Sequence, residues 1–266
     1  MTIALENAFW EAGNRAIVND VSVVFAPGQV TAIVGPNGAG KSSLLRLASG
    51  LTPLSRGRVL LDDLPLSSFS PAVIAARRAM LMQDGVLTAR LTARELVELG
   101  ASVSAAHLPH AERITMADRI LDRVGLLAFA ERDVMRLSGG ERQRVHLARV
   151  LMQLEAAAFD TSLGFLLLDE PISAQDLARQ ELILRIARAH ADRGGGVVMV
   201  LHDLNWAAAC ADRIVVVHDG RIYAQGTPQT VLSGALVRSV FGLAEECVRT
   251  HERTGKPYML PHDIMH

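Results

Sequence analysis

The chain has 266 residues, enough for one large domain or for a core with a smaller insert, and its formal net charge is −1 with 50% hydrophobic residues. That near-neutral balance gives no case for bulk nucleic-acid binding, and 4% aromatic residues leave few platforms for base stacking. No run of about 18 uninterrupted apolar residues occurs, so no transmembrane helix is expected, and Met1–Glu6 lacks the basic and apolar regions of a signal peptide.

Ile3 to Trp10 and Val21 to Phe25 read as strands, and Pro27-Gly28 turns the chain into a third, Val30 to Val34. Ser42 to Ala48 has the apolar spacing of a helix. Gly57 to Asp63 reads as a strand running into a turn, and Ala79–Met82 as a compact apolar strand ending at Gln83. From about Gly85 to Arg136 strand-like runs disappear. Leu91–Leu99 and Ala111–Val124 show helical spacing there, as does the stretch after Glu141. Phe165–Leu168 and Val197–Leu201 are short, wholly apolar runs, suited to strands buried on both faces of a parallel sheet. Helices are expected over Asp176–Ala191, Asn205–Ala211, Thr227–Ser233 and Gly234–Phe241. Asp219-Gly220 marks a hairpin between Ile214–Val217 and Arg221–Ala224. Strands alternating with helices predict an α/β fold with a mainly parallel core sheet.

Gly35-Pro36-Asn37-Gly38-Ala39-Gly40-Lys41-Ser42 matches the phosphate-loop pattern G-x-x-x-x-G-K-[ST] at every defined position, with a strand before it and a helix after it. Glycines let the backbone N–H groups turn inward towards an anion, and the helix adds the positive end of its dipole. In that role Lys41 reaches the β- and γ-phosphates, the Ser42 hydroxyl meets Mg²⁺, and Ser43 joins the ATP-binding residues. Phe165–Leu168 ends in Asp169-Glu170, at the strand edge where α/β sheets bind ligands. Asp169 would hold Mg²⁺ through water, and Glu170 would orient or deprotonate an attacking water. Leu137-Ser138-Gly139-Gly140-Glu141 admits two compatible readings: Ser138 and Glu141 form a capping box, and Gly139 with Gly140 offers N–H groups to a phosphate.

Followed by Arg142-Gln143-Arg144, that stretch resembles the signature of ABC ATPases, and the other elements of that family occur in its order. Gln83 matches the Q-loop glutamine, Ser173–Asp176 the D-loop with its Asp176, and His202 the switch histidine. Trp10, or less well Phe9, matches the aromatic that stacks on adenine. Ile172, Gln175 and Trp10 depart from the threonine, leucine and tyrosine usual in the family at those places. The resemblance spans residues 3–242. It implies one ABC cassette over 1–266 with an N-terminal antiparallel β subdomain, an inserted α-helical subdomain at about 85–145 and a tail from about 243.

The resemblance further implies ATP and Mg²⁺ as ligands, with Gln83 beside Ser42 and Asp169 at the metal. It implies catalysis by Glu170, His202, Gln83 and Lys41. The site it implies is composite: Gly35–Ser42, Gln83, Asp169, Glu170 and His202 of one copy face Ser138–Gly140 of a second copy in a head-to-tail homodimer. The helical insert would dock two integral-membrane permease subunits, served by a periplasmic substrate-binding protein, at the cytoplasmic face of a bacterial inner membrane.

Within the family the chain looks most like the ATPases of iron-chelate, cobalamin and haem importers, haem and iron chelates above all. It carries one cassette without fused spans, a long link Leu154–Gly164 and a terminal strand turn over Thr250–Pro261. The rival classes are a soluble ABC ATPase of DNA repair or translation, another phosphate-loop NTPase or small-molecule kinase, and a degenerate nucleotide-binding scaffold. Against them stand, in turn, the lack of a second cassette or coiled coil, the signature itself, and the intact Lys41, Glu170 and His202. Cys210 and Cys247 read as reduced thiols. His107 with His110 and His262 with His266 read as surface pairs, so haem ligation by this chain is not expected.

Overall fold

A computed structural model describes residues 1–13, 15–82, 90–102, 108–158, 163–173, 175–260 and 263. The chain forms two compact units, one of Ser67–Val197 together with Met1, the other of Thr2–Leu66 and Val198–His266.

The second unit holds a four-stranded antiparallel sheet in the order Arg15–Phe25, Ile3–Ala12, Arg56–Leu61, Leu64–Pro65. Along Arg15–Phe25, Val21, Val23 and Phe25 are buried and alternate with exposed Ser22 and Val24, the period of a half-buried strand. Asp62 and Asp63 both take left-handed backbone, with φ of 52° and 63°, which closes the tight turn from Arg56–Leu61 into Leu64–Pro65. Val30–Val34 is buried at every residue and pairs in parallel with Arg213–His218, which turns at Asp219-Gly220 into antiparallel Arg221–Gly226. The expected hairpin is therefore present. Gly234–Phe241 is helical as expected, but the helix before it is cut to Pro228–Val231 because Ser233 leaves the helix to cap the next one.

In the first unit Arg78–Leu81 pairs in parallel with Phe165–Asp169. Around them lie the helices Ala93–Glu98, His110–Arg123, Gly139–Ala157 and Leu177–Asp192, a mostly helical region after the strand as the sequence suggests. Gly139–Ala157 packs on the first two of these helices and buries Val145, Ala148 and Leu151. Pro71–Arg77 is a helix that the sequence reading did not anticipate. Its apolar residues, Ala72 to Ala76, follow one another without a polar face, so no helical period marks it, although Ser70 caps it and Pro71 occupies its first turn. The chain passes from one unit to the other within the buried strand Gly196–Val200.

His190 is a buried polar side chain of the first unit, 1% exposed. Its Nε2 lies 2.9 Å from the Gly164 carbonyl oxygen, so the neutral ring donates there. Glu155, paired with Arg123 and Arg193, lies near it. Burial pushes the imidazole pKa down, and the Gly164 contact and Glu155 oppose this only in part. The unfolded chain therefore binds the extra proton first. The stability that neutral His190 contributes is complete above the unfolded value, about 6.5, and is lost as pH falls below it. The thermal midpoint should drop between about pH 7 and pH 5, and the slope should flatten in His190→Gln, which keeps a donor but does not titrate. Parallel pH slopes for the two proteins would refute this role.

Candidate functional site

Val30–Val34 delivers the chain to Gly35, and the helix Lys41–Ser49 carries it away from Gly40. A Cβ on Gly35 would stand 2.0 Å from the Val217 carbonyl oxygen, so only glycine fits against the neighbouring strand. Gly40 sits at φ 100°, left-handed backbone that glycine adopts at no steric expense, and a Cβ there would stand 2.6 Å from the Ile17 carbonyl oxygen. The same turn is tied to the hairpin by Gly220 N–H donating to the Ala39 carbonyl, 3.1 Å.

Lys41–Ser49 has no side-chain cap and no acidic residue in its first turn, whereas Ser70, Thr92, Ser138 and Asp176 each cap a helix of this chain. A helix start built from glycine and lysine favours an anion over a cap. Lys41 is 5% exposed, and its Nζ donates to the carbonyls of Gly35 and Pro36 at 2.9 and 2.8 Å. The ammonium is thus held within the loop, and the loop fits a phosphate group. Ser42 and Asp169 both offer oxygen, the donor type that Mg²⁺ takes.

On the Ile3–Ala12 strand the Phe9 ring lies under the Arg56 guanidinium, 4.3 Å from its centroid, while Trp10 is half-buried. His202 is exposed between Val200 and the helix Leu204–Cys210. Asp203 caps that helix, its Oδ1 accepting from the N–H groups of Asn205 and Trp206. The tail returns to the same helix. Its hairpin, Val248–Thr250 with Pro257–Met259, bonds Asn205 in both directions: Met259 N–H donates to Oδ1 at 2.7 Å, and Nδ2 donates to the Met259 carbonyl at 3.2 Å.

In the other unit Phe165–Asp169 is buried at every residue, with Asp169 fully enclosed at its end. Glu170 follows at φ 50°, left-handed backbone that is uncommon for a residue with a side chain. Its carbonyl is held from three sides, by Ser173 Oγ at 2.9 Å, Ser173 N–H at 3.3 Å and Gln143 Nε2 at 3.0 Å. Ser138 caps Gly139–Ala157, accepting from Glu141 N–H at 3.3 Å while Glu141 Oε2 accepts from Ser138 N–H at 2.7 Å. The capping box is therefore real. It holds the Glu141 carboxyl below the usual range, chiefly through the Ser138 backbone N–H and then its hydroxyl. The cap does not use the N–H groups of Gly139 and Gly140, so the two readings of this stretch remain compatible. Asp176 caps Leu177–Asp192, its Oδ1 accepting from Arg179 N–H at 2.9 Å. Ile172 is buried.

Gln83 lies outside the described residues, as do His107, His262 and His266. His110 lies 3.4 Å from a Glu98 oxygen. Gln143 and Ser173 were named only within the signature and D-loop stretches, and their hold on the Glu170 turn, like that of Asn205 on the tail, was not read from sequence. A glutamine within a helix and an asparagine near a helix start carry no spacing signal for partners so far along the chain.

The family model described as ABC transporter matches residues 18–173. The chain belongs to the ABC transporter family. Among ABC transporter proteins, the hemin import ATP-binding protein of Bradyrhizobium diazoefficiens is 42% identical over 253 residues, covering 95% of this chain and 92% of that one. The hemin import ATP-binding protein of Mesorhizobium japonicum is 47% identical over 230 residues, covering 86% and 87%. A dimeric bacterial ABC transporter cassette superposes with a TM-score of 0.75 at 27% identity, over 85% of this chain and 98% of that one. An inward-facing metal-chelate type ABC transporter shares the fold, with a TM-score of 0.76 at 22% identity over 98% of this chain. The fold is that of an ABC ATPase: mixed α/β with an antiparallel N-terminal sheet and a helical subdomain. Among the described residues no helix is long and apolar enough to cross a membrane.

Proposed function

We propose that this chain is the ATP-hydrolysing subunit of an importer for haem or a related iron chelate. The observation that carries the cargo is the likeness, over nearly the whole chain, to hemin import ATP-binding proteins. The loop Gly35–Ser42 and Ser43 would bind the phosphates of ATP through backbone N–H groups, with Lys41 on the β- and γ-phosphates. Trp10 would stack on adenine, since Arg56 covers Phe9. Ser42, Gln83 and Asp169 would hold Mg²⁺, which neutralises charge on the β- and γ-phosphate oxygens when bound.

Glu170 would take a proton from the attacking water as its oxygen bonds to the γ-phosphorus. The bond from that phosphorus to the bridging oxygen then breaks, leaving ADP and inorganic phosphate. His202 would donate to the γ-phosphate, and Ser138, Gly139 and Gly140 with Glu141 would serve the nucleotide of a second copy, bordered by Asp176. Two copies paired head to tail would act beneath two permease subunits on the cytoplasmic face of the inner membrane, with a periplasmic binding protein delivering cargo.

The test is uptake of hemin into lipid vesicles holding this subunit with its permease. ATP-dependent accumulation of hemin is expected. ATP hydrolysis that proceeds with no hemin accumulation, in the presence of the binding protein, would overturn the cargo assignment.

A further inference from the structure

Gln175 stands where the sequence departs from the leucine usual in the family, and its side-chain NH₂ makes two hydrogen bonds. Its Nε2 donates to the Gly140 carbonyl at 3.0 Å and to Gln143 Oε1 at 2.9 Å. The approach is close at Gly140, where a Cβ would lie 3.1 Å from the Gln175 amide. Gln143 passes the connection on, since its own Nε2 donates to the Glu170 carbonyl at 3.0 Å, with Ser173 Oγ at 3.5 Å. Gln180 fixes the Gln175 backbone from the other side, Nε2 donating to the Gln175 and Ile172 carbonyls at 3.1 and 3.4 Å. Three glutamines thus join the start of the signature helix to the left-handed turn that aims Glu170.

We propose that Gln175 is a positioning residue that makes the aim of Glu170 depend on the state of the signature turn in the same chain. The bridge has a direction set by chemistry. Gln143 has one carbonyl and one amide group, and with Gln175 donating to the first, the second is turned towards Glu170. Leucine fills similar space but donates nothing, so it would leave the Gly140 carbonyl and Gln143 Oε1 without this donor. This rests on the reading above, in which Glu170 serves its own chain's ATP and Ser138–Gly140 serve the partner's. Under that reading the bridge carries the occupancy of one nucleotide to the base acting on the other, which makes hydrolysis at the two concerted.

The experiment measures steady-state ATP hydrolysis of the assembled transporter in lipid for Gln175→Met and Gln175→Leu, two variants so that a folding failure of one leaves the other. Loss of these neutral hydrogen bonds should lower kcat by about fivefold to tenfold. KM for ATP should stay within about twofold, since Gln175 is not itself placed on a nucleotide and meets Gly140 only at its carbonyl, and the Hill coefficient should fall towards one. Gln143→Met combined with Gln175→Met should be no slower than Gln143→Met alone, because both break one chain of bonds. Unchanged kcat and Hill coefficient, or a double variant that loses the product of the two single losses, would overturn the proposal. Glu170→Gln run alongside separates the two levels. Turnover lost in Glu170→Gln but unchanged in both Gln175 variants sinks the bridge alone, whereas turnover kept in Glu170→Gln sinks the reading it rests on.

Discussion

Glu170→Gln lowers steady-state ATP turnover by about 10²–10⁴-fold, the contribution of a positioned general base, and leaves nucleotide affinity in place. The substitution is nearly isosteric. The left-handed backbone at φ 50° and the bonds from Gln143 and Ser173 to the carbonyl involve only the main chain of residue 170, so they survive it. What is lost is the carboxylate at the end of a strand buried along its whole length. With hydrolysis blocked and binding intact, the paired subunits should accumulate in the ATP-bound form, visible as a dimer by size exclusion with ATP and Mg²⁺. Turnover within about threefold of the unmodified protein would remove Glu170 from the role of base.

Lys41→Ala weakens nucleotide binding by about tenfold to a hundredfold, the loss expected for charged hydrogen bonds. Lys41 is the sole cation between Gly35 and Ser42, and it is 5% exposed. Its ammonium also donates to the Gly35 and Pro36 carbonyls, so its removal loosens the loop as well as discharging it. Titration calorimetry with Mg²⁺ present measures the first effect, and the thermal midpoint without nucleotide measures the second. An unchanged dissociation constant would return the loop to a glycine-rich turn with no ligand.

The parts of the candidate site that were legible in the sequence are those made by neighbours along the chain. Gly35–Ser42 reads as an anion loop because strand, glycines, lysine and helix follow one another without interruption. Ser138 and Glu141 read as a capping box because the two partners stand three positions apart, and both bonds are present. Asp219-Gly220 reads as a tight hairpin for the same reason.

What stayed hidden depends on distance or on geometry without a period. Gln143 reaches Glu170 across 27 residues and Gln175 reaches Gly140 across 35, and no spacing rule links such pairs. The left-handed backbone of Glu170 is imposed by that surrounding structure, against the preference of the residue itself. Pro71–Arg77 escaped because it is short and its apolar residues, Ala72 to Ala76, run on without the polar interruptions that give a helical period.

The carbonyl of Ile17 has a consequence for how this protein can change. It blocks a Cβ on Gly40 at 2.6 Å and a Cβ on Gly220 at 2.7 Å, so one main-chain oxygen faces two glycines that lie far apart in the chain. Asn19 N–H adds a bond to the Gly220 carbonyl at 2.8 Å. The obstacle at either glycine is backbone, which every amino acid at position 17 would present alike. A lineage that lost Gly40 or Gly220 could not recover through a compensating substitution at Ile17, as a clash between two side chains could. The side chain at position 17 does not enter this contact, because what the two glycines meet is its main-chain oxygen. Reversion is then the simplest route back, and drift around the loop is confined to side chains that leave this contact alone.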